Sequence, residues 1–491
     1  MRVCKATPNR SAARKFLIYF SYLLLGILFA GAFLLQSRPA AASWIPGKNF
    51  RPLPAFARKY GMPCSACHLG WPMLSPFGQA FKDNGYQLGN DRDAPIYQDP
   101  GYWPVTFRIT PIWHRESSSA MQVDGPNGVM NDEAKVTTHG FDWSGLDFHA
   151  GGTLAKNISF YVLPSSDNTG AFHFESVWAR LDNLFGSSWL NIKMGKFELD
   201  NLLSEKRILT LTNVAGTYAN YHFQPLVSPD SRANGAILAT EGYTFGIGDN
   251  QVGVEWMGHS KDDRTRVSAS LLNSNDGNPS FSSNNGMSNS LTGRGYDGYF
   301  AASQAFEVGS LGLQRVGGFA YLGQAPTFPQ YTQNGTSIDG TAIGNKSFYR
   351  LGLIGQWYLR KFDVTTIYFH GWDSAFLGSN TPANQPLPTG AQSPTWNGGL
   401  FETHYVPNPQ LVLINRYEII RMSRQVFASN PANFGDEDVL TFGYRYYPFI
   451  SSRAGFAFHN EYAIEWQRGA APVTGTNLAT SSLLVGFDFA F

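Results

Sequence analysis

From Val105 to Phe491, apolar and polar residues alternate with a period of two. The last segment is the clearest. Leu483, Val485, Phe487, Phe489 and Phe491 fall on one face, and Leu484, Gly486, Asp488 and Ala490 on the other. Phe456, Phe458, Tyr462, Ile464 and Trp466 likewise share a face opposite Ala457, His459, Glu461 and Glu465. Phe442, Tyr444 and Tyr446 alternate with Gly443 and Arg445. Leu411, Leu413, Tyr417 and Ile419 alternate with Val412, Ile414, Arg416 and Glu418. Leu351, Leu353, Gly355, Trp357 and Leu359 alternate with Gly352, Ile354, Gln356 and Tyr358. Side chains of a strand point to opposite faces in turn, so each run predicts a strand with one apolar face.

Apolar-out, polar-in alternation over about ten residues is the signature of a transmembrane barrel strand. Only helices and closed barrels cross lipid with every backbone group paired. In a soluble sandwich the same stripes would face a core. The aromatic load, an export signal and the C-terminal Phe491 favour lipid, and the final strand looks like the terminal strand of bacterial outer-membrane barrels. Strand-like segments begin near 105, 146, 157, 172, 188, 235, 250, 265, 297, 313, 348, 362, 396, 410, 438, 452 and 481, seventeen in all. A barrel with both ends in the periplasm needs an even number. The stretch 199–234 is the expected place for a missed strand or a plug, and the segment near 105 the expected false strand. Leu359-Arg360-Lys361-Phe362 and Val406-Pro407-Asn408-Pro409 read as periplasmic turns. The segments 273–295, 324–346 and 374–395, rich in Asn, Ser, Gly, Thr and Pro, read as extracellular loops. The interior charges carry both signs: Lys193, Arg416, Glu418, Arg445, Glu461, Glu465 and Asp488. They predict mutual pairing rather than strong ion selectivity.

Composition narrows the class further. Charged residues make up 15% of the 491, against about 25% in ordinary soluble domains. A mean hydropathy of -0.22 excludes a polytopic helical membrane protein. A net charge of +1 excludes a nucleic-acid binder held by bulk positive charge. At the N-terminus, Arg2, Lys5, Arg10, Arg14 and Lys15 precede an apolar run from Phe16 to Leu35, then Ala40-Ala41-Ala42. This predicts a signal peptide over 1–42 with cleavage before Ser43. The alternative is an uncleaved membrane anchor, since about 20 apolar residues can span a bilayer.

Cleavage removes Cys4 and leaves Cys64 and Cys67, within Cys64-Ser65-Ala66-Cys67-His68. This is the spacing for c-type haem attachment. Two thiols three residues apart bond the porphyrin, and His68 follows closely enough to offer its imidazole to iron. A redox-active Cys-x-x-Cys with a chance His is the competing reading. A zinc site lacks a second Cys/His pair nearby. Downstream, Ser75 can cap a helix, Pro76 suits its first position and Gly85 its stop. Within it Phe77, Ala80, Phe81 and Asn84 fall at helical spacing, a stripe for a porphyrin or for the barrel mouth. The segment 43–102 is short for a self-sufficient domain, so it is expected to lean on, or sit inside, the barrel of 103–491.

Phe56-Ala57-Arg58-Lys59-Tyr60-Gly61-Met62-Pro63-Cys64-Ser65-Ala66-Cys67-His68, then Pro76-Phe77-Gly78, Phe81-Lys82 and Gly85-Tyr86, resembles the fused monohaem cytochrome c–porins of iron-oxidising bacteria. The specific motif covers about residues 56–86; the likeness over the rest is architectural. The resemblance implies an all-β fold, an outer-membrane β-barrel of about 16 antiparallel strands behind a small N-terminal haem-binding helical segment. It implies one covalent haem c on Cys64, Cys67 and His68, with His68 as metal ligand. It further implies electron transfer from extracellular Fe(II), or another small donor, to a periplasmic cytochrome or copper protein, an iron oxidase-type activity. The haem segment would lie at the periplasmic side or in the lumen. The second axial ligand is open among Met62, Met73, His114 and His149; strand parity places the two histidines in the lumen. A diffusion porin carrying the haem segment as plug or redox tag is the alternative function. A haem enzyme such as a peroxidase has little support, because no distal His/Arg pair can be assigned.

Overall fold

The computed structural model describes most of residues 64–86 and 105–490, with Phe56, Tyr60 and Met62 ahead of them. The longest stretches outside the described residues are 1–55, 87–104, 200–220, 224–244 and 274–295; Phe491 also lies outside. The expected signal peptide, the candidate strand near 235 and the loop 273–295 therefore fall beyond what is described, the last save for Asn273. The chain divides into two units, Met1–Phe50 and Arg51–Phe491. The second holds both the Cys-x-x-Cys-His segment and the barrel.

That segment contains α1 (Cys64–Cys67), β1 (His68–Gly70), β2 (Met73–Leu74) and α2 (Pro76–Asp83). Sixteen strands follow in the barrel: β3 (Val105–Asp124), β4 (Met130–Ala155), β5 (Ile158–Ser166), β6 (Phe172–Leu181), β7 (Asn191–Phe197), β8 (Gln251–His259), β9 (Thr265–Asn273), β10 (Tyr296–Glu307), β11 (Leu313–Pro326), β14 (Asn345–Leu359), β15 (Phe362–Asp373), β16 (Thr395–Asn408), β17 (Leu411–Arg424), β18 (Glu437–Ile450), β19 (Gly455–Gln467) and β20 (Leu478–Ala490). The short hairpin β12 (Gln330–Gln333) and β13 (Thr336–Asp339) stands apart from it. Each barrel strand pairs antiparallel with its neighbours in sequence, and β20 closes the ring on β3 with Val485 opposite Trp113.

Closure disposes of the unpaired edges that an open sheet would present. The alternation then sorts side chains by chemistry. Leu353, Phe401 and Val485 are 64%, 51% and 45% exposed on the outer surface, whereas Arg416 is 1% and His459 0% exposed on the inner face. The two rims differ. The rim carrying Val105 and Ala490 has tight turns, such as the two-residue Arg360-Lys361 link with Arg360 at φ 61°. The other rim carries the long connections, including 327–344 and 374–394. In the second of these, α3 (Ala375–Gly378) is capped by Ser374.

Three strand expectations change. The segment near 105 is a true strand, paired on both sides by β20 and β4. Its alternation is blurred by Pro111 and by a register shift between Ile109 and Pro111. The strand expected from 146 begins at Met130. Its first half pairs with β3 alone, since pairing to β5 starts at Asp147. A ribbon wet on both faces has no apolar stripe to read. Between β7 and β8 the barrel admits no further strand, because Gly195 pairs directly with Gly253.

Candidate functional site

α1 is a single turn with Cys64 and Cys67 at i and i+3, so both residues fall on one side of it. Cys67 and His68 are half-buried. The carbonyls that end α1 are met by one residue: the Ser75 amide donates to the Cys67 oxygen at 2.8 Å, and Ser75 Oγ donates to the Ala66 oxygen at 3.1 Å. His68 pairs with Leu74 across β1 and β2. The same Ser75 caps α2, its Oγ accepting from the Gly78 amide at 3.1 Å, with Pro76 in the first turn. The far end of α2 closes as a Schellman motif. The Tyr86 amide donates to the Phe81 oxygen at 2.9 Å and the Gly85 amide to the Lys82 oxygen at 3.2 Å, with Gly85 at φ 75°. Both ends of this helix thus follow the sequence expectation.

Gly78 brings the two helices together. A Cβ built there would stand 2.0 Å from the Cys67 carbonyl oxygen, a contact that only glycine permits. The expected stripe divides. Phe81 turns into an aromatic cluster, 5.0 Å from Phe56, 5.5 Å from Tyr60 and 5.8 Å from Tyr86 between ring centres. Phe77 is largely exposed, and with Ala80 it lines a cavity at the barrel rim.

The barrel wall grips this unit. Tyr86 stacks on Phe56 at 4.7 Å and on Trp178 of β6 at 6.0 Å, with Tyr161 of β5 at 6.5 Å. Such pairs contribute about 0.5–1.5 kcal/mol each beyond their buried area. Arg180 Nη2 donates to the Lys82 oxygen at 2.7 Å while its Nε holds Asp182 at 2.6 Å. Lys82 pairs with Glu198 at 2.5 Å, and Arg266 Nε with Asp83 at 2.9 Å. The helical segment is therefore seated inside the barrel against β5, β6 and β9. Tyr161, Trp178, Arg180 and Arg266 escaped the sequence reading; in a single strand they are indistinguishable from other inward residues.

Both candidate histidines face inward. His114 stands on the strand face opposite Leu484, which is buried, and lies 3.8 Å from Glu116. His149 Nδ1 lies 2.6 Å from Tyr161 Oη, beside the aromatic cluster. Thr106 is the partner of His149 in β3, so His114 lies eight residues farther along that strand, about 26 Å away. Of the two, only His149 adjoins the haem-motif segment. Met62 is half-buried, and Met73 pairs with Gly70 in the small β1–β2 ladder.

The inward charges pair in part as expected, Glu465 having a neutral partner. Lys193 meets Glu255, Arg416 meets Glu418 at 2.9 Å and Arg445 meets Asp488 at 3.2 Å. Glu461 contacts His459 at 2.9 Å, and Glu465 accepts from Gln467 at 3.1 Å. Arg108 bridges Asp147 and Asp488, tying β3, β4 and β20 at the closing seam. Toward the rim of long connections the interior becomes aromatic. Tyr221, from the connection between β7 and β8, packs on Trp396 at 5.3 Å and donates to the Gly435 oxygen at 2.9 Å. Phe223 packs on Phe434, and Phe245 on Tyr321 and Phe348. These residues and Phe81, Tyr86 and Trp178 belong to one continuous buried cluster. Among the described residues, no group of three or more His, Cys, Asp or Glu side chains is arranged to hold a metal ion.

No family model matches the chain, and no curated protein matches it. Solved structures similar to it include the anion-selective porin of Comamonas acidovorans, 10% identical over 79% of this chain and 99% of that one, with a TM-score of 0.45. The outer membrane channel DcaP of Acinetobacter baumannii is 8% identical over 81% of this chain and 100% of that one, with a TM-score of 0.44. OmpT, an outer membrane protein of Vibrio cholerae, is 12% identical over 81% and 100%, with a TM-score of 0.43.

Proposed function

We propose that this chain is an outer-membrane electron conduit, taking electrons from an extracellular donor through one covalent haem c to a periplasmic electron carrier. The observation that carries the reading is the seating of the Cys64-x-x-Cys67-His68 turn inside the compact unit formed by a closed barrel. Ferrous iron is the donor that the sequence resemblance names. The outer-membrane location is supported by the closed ring and by its outward apolar side chains, which suit lipid.

The residues present fit the group. Two thiols on one turn of α1, followed directly by an imidazole, form the donor set that covalent haem attachment needs. When bound, the haem supplies a one-electron iron couple whose potential its axial ligands set. His68 offers one of those ligands. Ser75 and Gly78 fix α1 on α2, and Phe56, Phe81, Tyr86 and Trp178 fix α2 in the barrel, so the attachment turn is held in place. The aromatic cluster, to which Tyr221 contributes from the connection between β7 and β8, takes up lumen that a diffusion porin would leave to water. That favours passage of electrons over passage of solutes.

The test uses the full chain in liposomes, with ferrous iron added only outside and haem reduction followed by stopped-flow absorbance. Wild-type haem should be reduced, and His68→Ala should slow or abolish reduction while the barrel stays inserted. Wild-type haem that no external donor reduces, across several pH values, would overturn the proposal. Vesicle swelling by small neutral sugars, with no change in haem reduction in His68→Ala, would point to the diffusion porin.

A further inference from the structure

A cavity of about 230 Å³ opens where the first half of α2 meets the rim of short turns. Ser75, Phe77 and Ala80 line one side; Arg315, Gln356 and Tyr358 line the other. It shares Ser75 with the cysteine turn but opens on the other side of α2. Pro76 and Ala80, which face the cavity, stand about 200° round the helix from Gly78, which abuts Cys67.

Asp262, Asp263, Arg264 and Arg266 line the cavity as well, and these charges are unevenly matched. Asp83 and Asp263 both pair with Arg266. Asp262 accepts from Ser260 Oγ at 2.5 Å and pairs with Arg264, which also reaches Glu307 at 3.4 Å. Arg315 is left with neutral acceptors: Ser303 Oγ at 2.9 Å, the Arg264 oxygen at 3.3 Å and the Asp263 oxygen at 2.6 Å. Among the described residues no carboxylate stands at ion-pair distance from its guanidinium. The Tyr358 hydroxyl, lining the same cavity, is buried without a hydrogen-bond partner among those residues. A buried hydroxyl left without a partner is costly. A guanidinium beside it with no carboxylate at ion-pair distance is a fork suited to a carboxylate or phosphate. The N-terminus of α2 adds a favourable dipole.

We propose that this cavity binds a small oxyanion, phosphate or carboxylate, through the Arg315 guanidinium and the Tyr358 hydroxyl, bridging α2 to the barrel rim. The site is distinct from haem attachment, so it is tested without reference to electron transfer. The full chain, folded in detergent, is titrated calorimetrically at fixed ionic strength with inorganic phosphate, and separately with acetate. Saturable binding of either anion identifies its source. Arg315→Gln should weaken it by roughly tenfold or more, the loss expected when a hydrogen bond to a charged group goes. Tyr358→Phe should weaken it less. Arg264→Gln, whose guanidinium already pairs with Asp262 and Glu307, should weaken it less than Arg315→Gln does. Heat-modifiable gel mobility confirms that each variant is folded. Absence of saturable binding to the wild type overturns the proposal, as does unchanged affinity in folded Arg315→Gln. So does equal weakening in Arg315→Gln and Arg264→Gln, which marks general charge screening. If Arg315→Gln does not fold, unchanged affinity in Tyr358→Phe is decisive against it.

Discussion

A methyl group at position 78 would meet the Cys67 carbonyl oxygen at 2.0 Å, and that oxygen is main chain, already held by the Ser75 amide. Neither side can yield without parting α1 from α2. Gly78→Ala should therefore disturb the cysteine turn at a cost of about 1–3 kcal/mol, the usual range for overpacking. Covalent haem, assayed by pyridine haemochrome on purified protein, should fall while heat-modifiable mobility of the barrel persists. Haem content equal to wild type would contradict this account of the turn. Cys67→Ala tests attachment itself. It removes one of the two thiols, so any haem retained should be held by one thioether at most and show a pyridine haemochrome band shifted to longer wavelength; an unshifted band at full haem content would show that attachment does not use Cys67.

Among the elements, α2 was the most legible. Ser75, Pro76 and Gly85 marked its ends because caps are local: the groups they satisfy lie within four residues. Which way its stripe faced was not legible, since Phe81 met Tyr86 and Trp178, whose approach depends on β6. The strands show the same division. β20 declared itself through alternation; β3 was blurred by Pro111 and its register shift, and the first half of β4 by lying in a ribbon with water on both faces. The seam that closes the ring gives a prediction at this scale. Asp488 sits between Arg108 at 2.9 Å and Arg445 at 3.2 Å, nearly buried. Asp488→Ala leaves Arg445 without this partner and Arg108 with Asp147 alone. Removing one side of a buried pair costs about 3–5 kcal/mol. The temperature at which the folded band converts on gels should drop; an unchanged conversion temperature would show that the seam does not depend on this network.

For the whole molecule, what decides between conduit and pore is how much of the lumen is filled. Tyr221, Phe223 and Phe245 turn inward and bury themselves against Trp396, Phe434, Tyr321 and Phe348. Reconstituted wild-type protein should therefore give little single-channel conductance, with Trp396→Ala raising it by opening the packed end. Large, stable wild-type openings would favour the diffusion porin. The sequence by itself determined that the chain forms a barrel, though not the place of β3 or the start of β4, since period-two alternation and an apolar outer face are properties of each strand alone. It also held the Cys64-x-x-Cys67-His68 spacing on which the haem proposal rests, because two thiols and an imidazole need only five consecutive residues. The tertiary structure alone decided how that motif is seated, which aromatics surround it, which charges pair, and that among the described residues Arg315 has no carboxylate at ion-pair distance. Those facts depend on strands far apart in sequence coming within a few ångströms, as Arg108 and Asp488 do across the closing seam, and no local pattern encodes such a meeting.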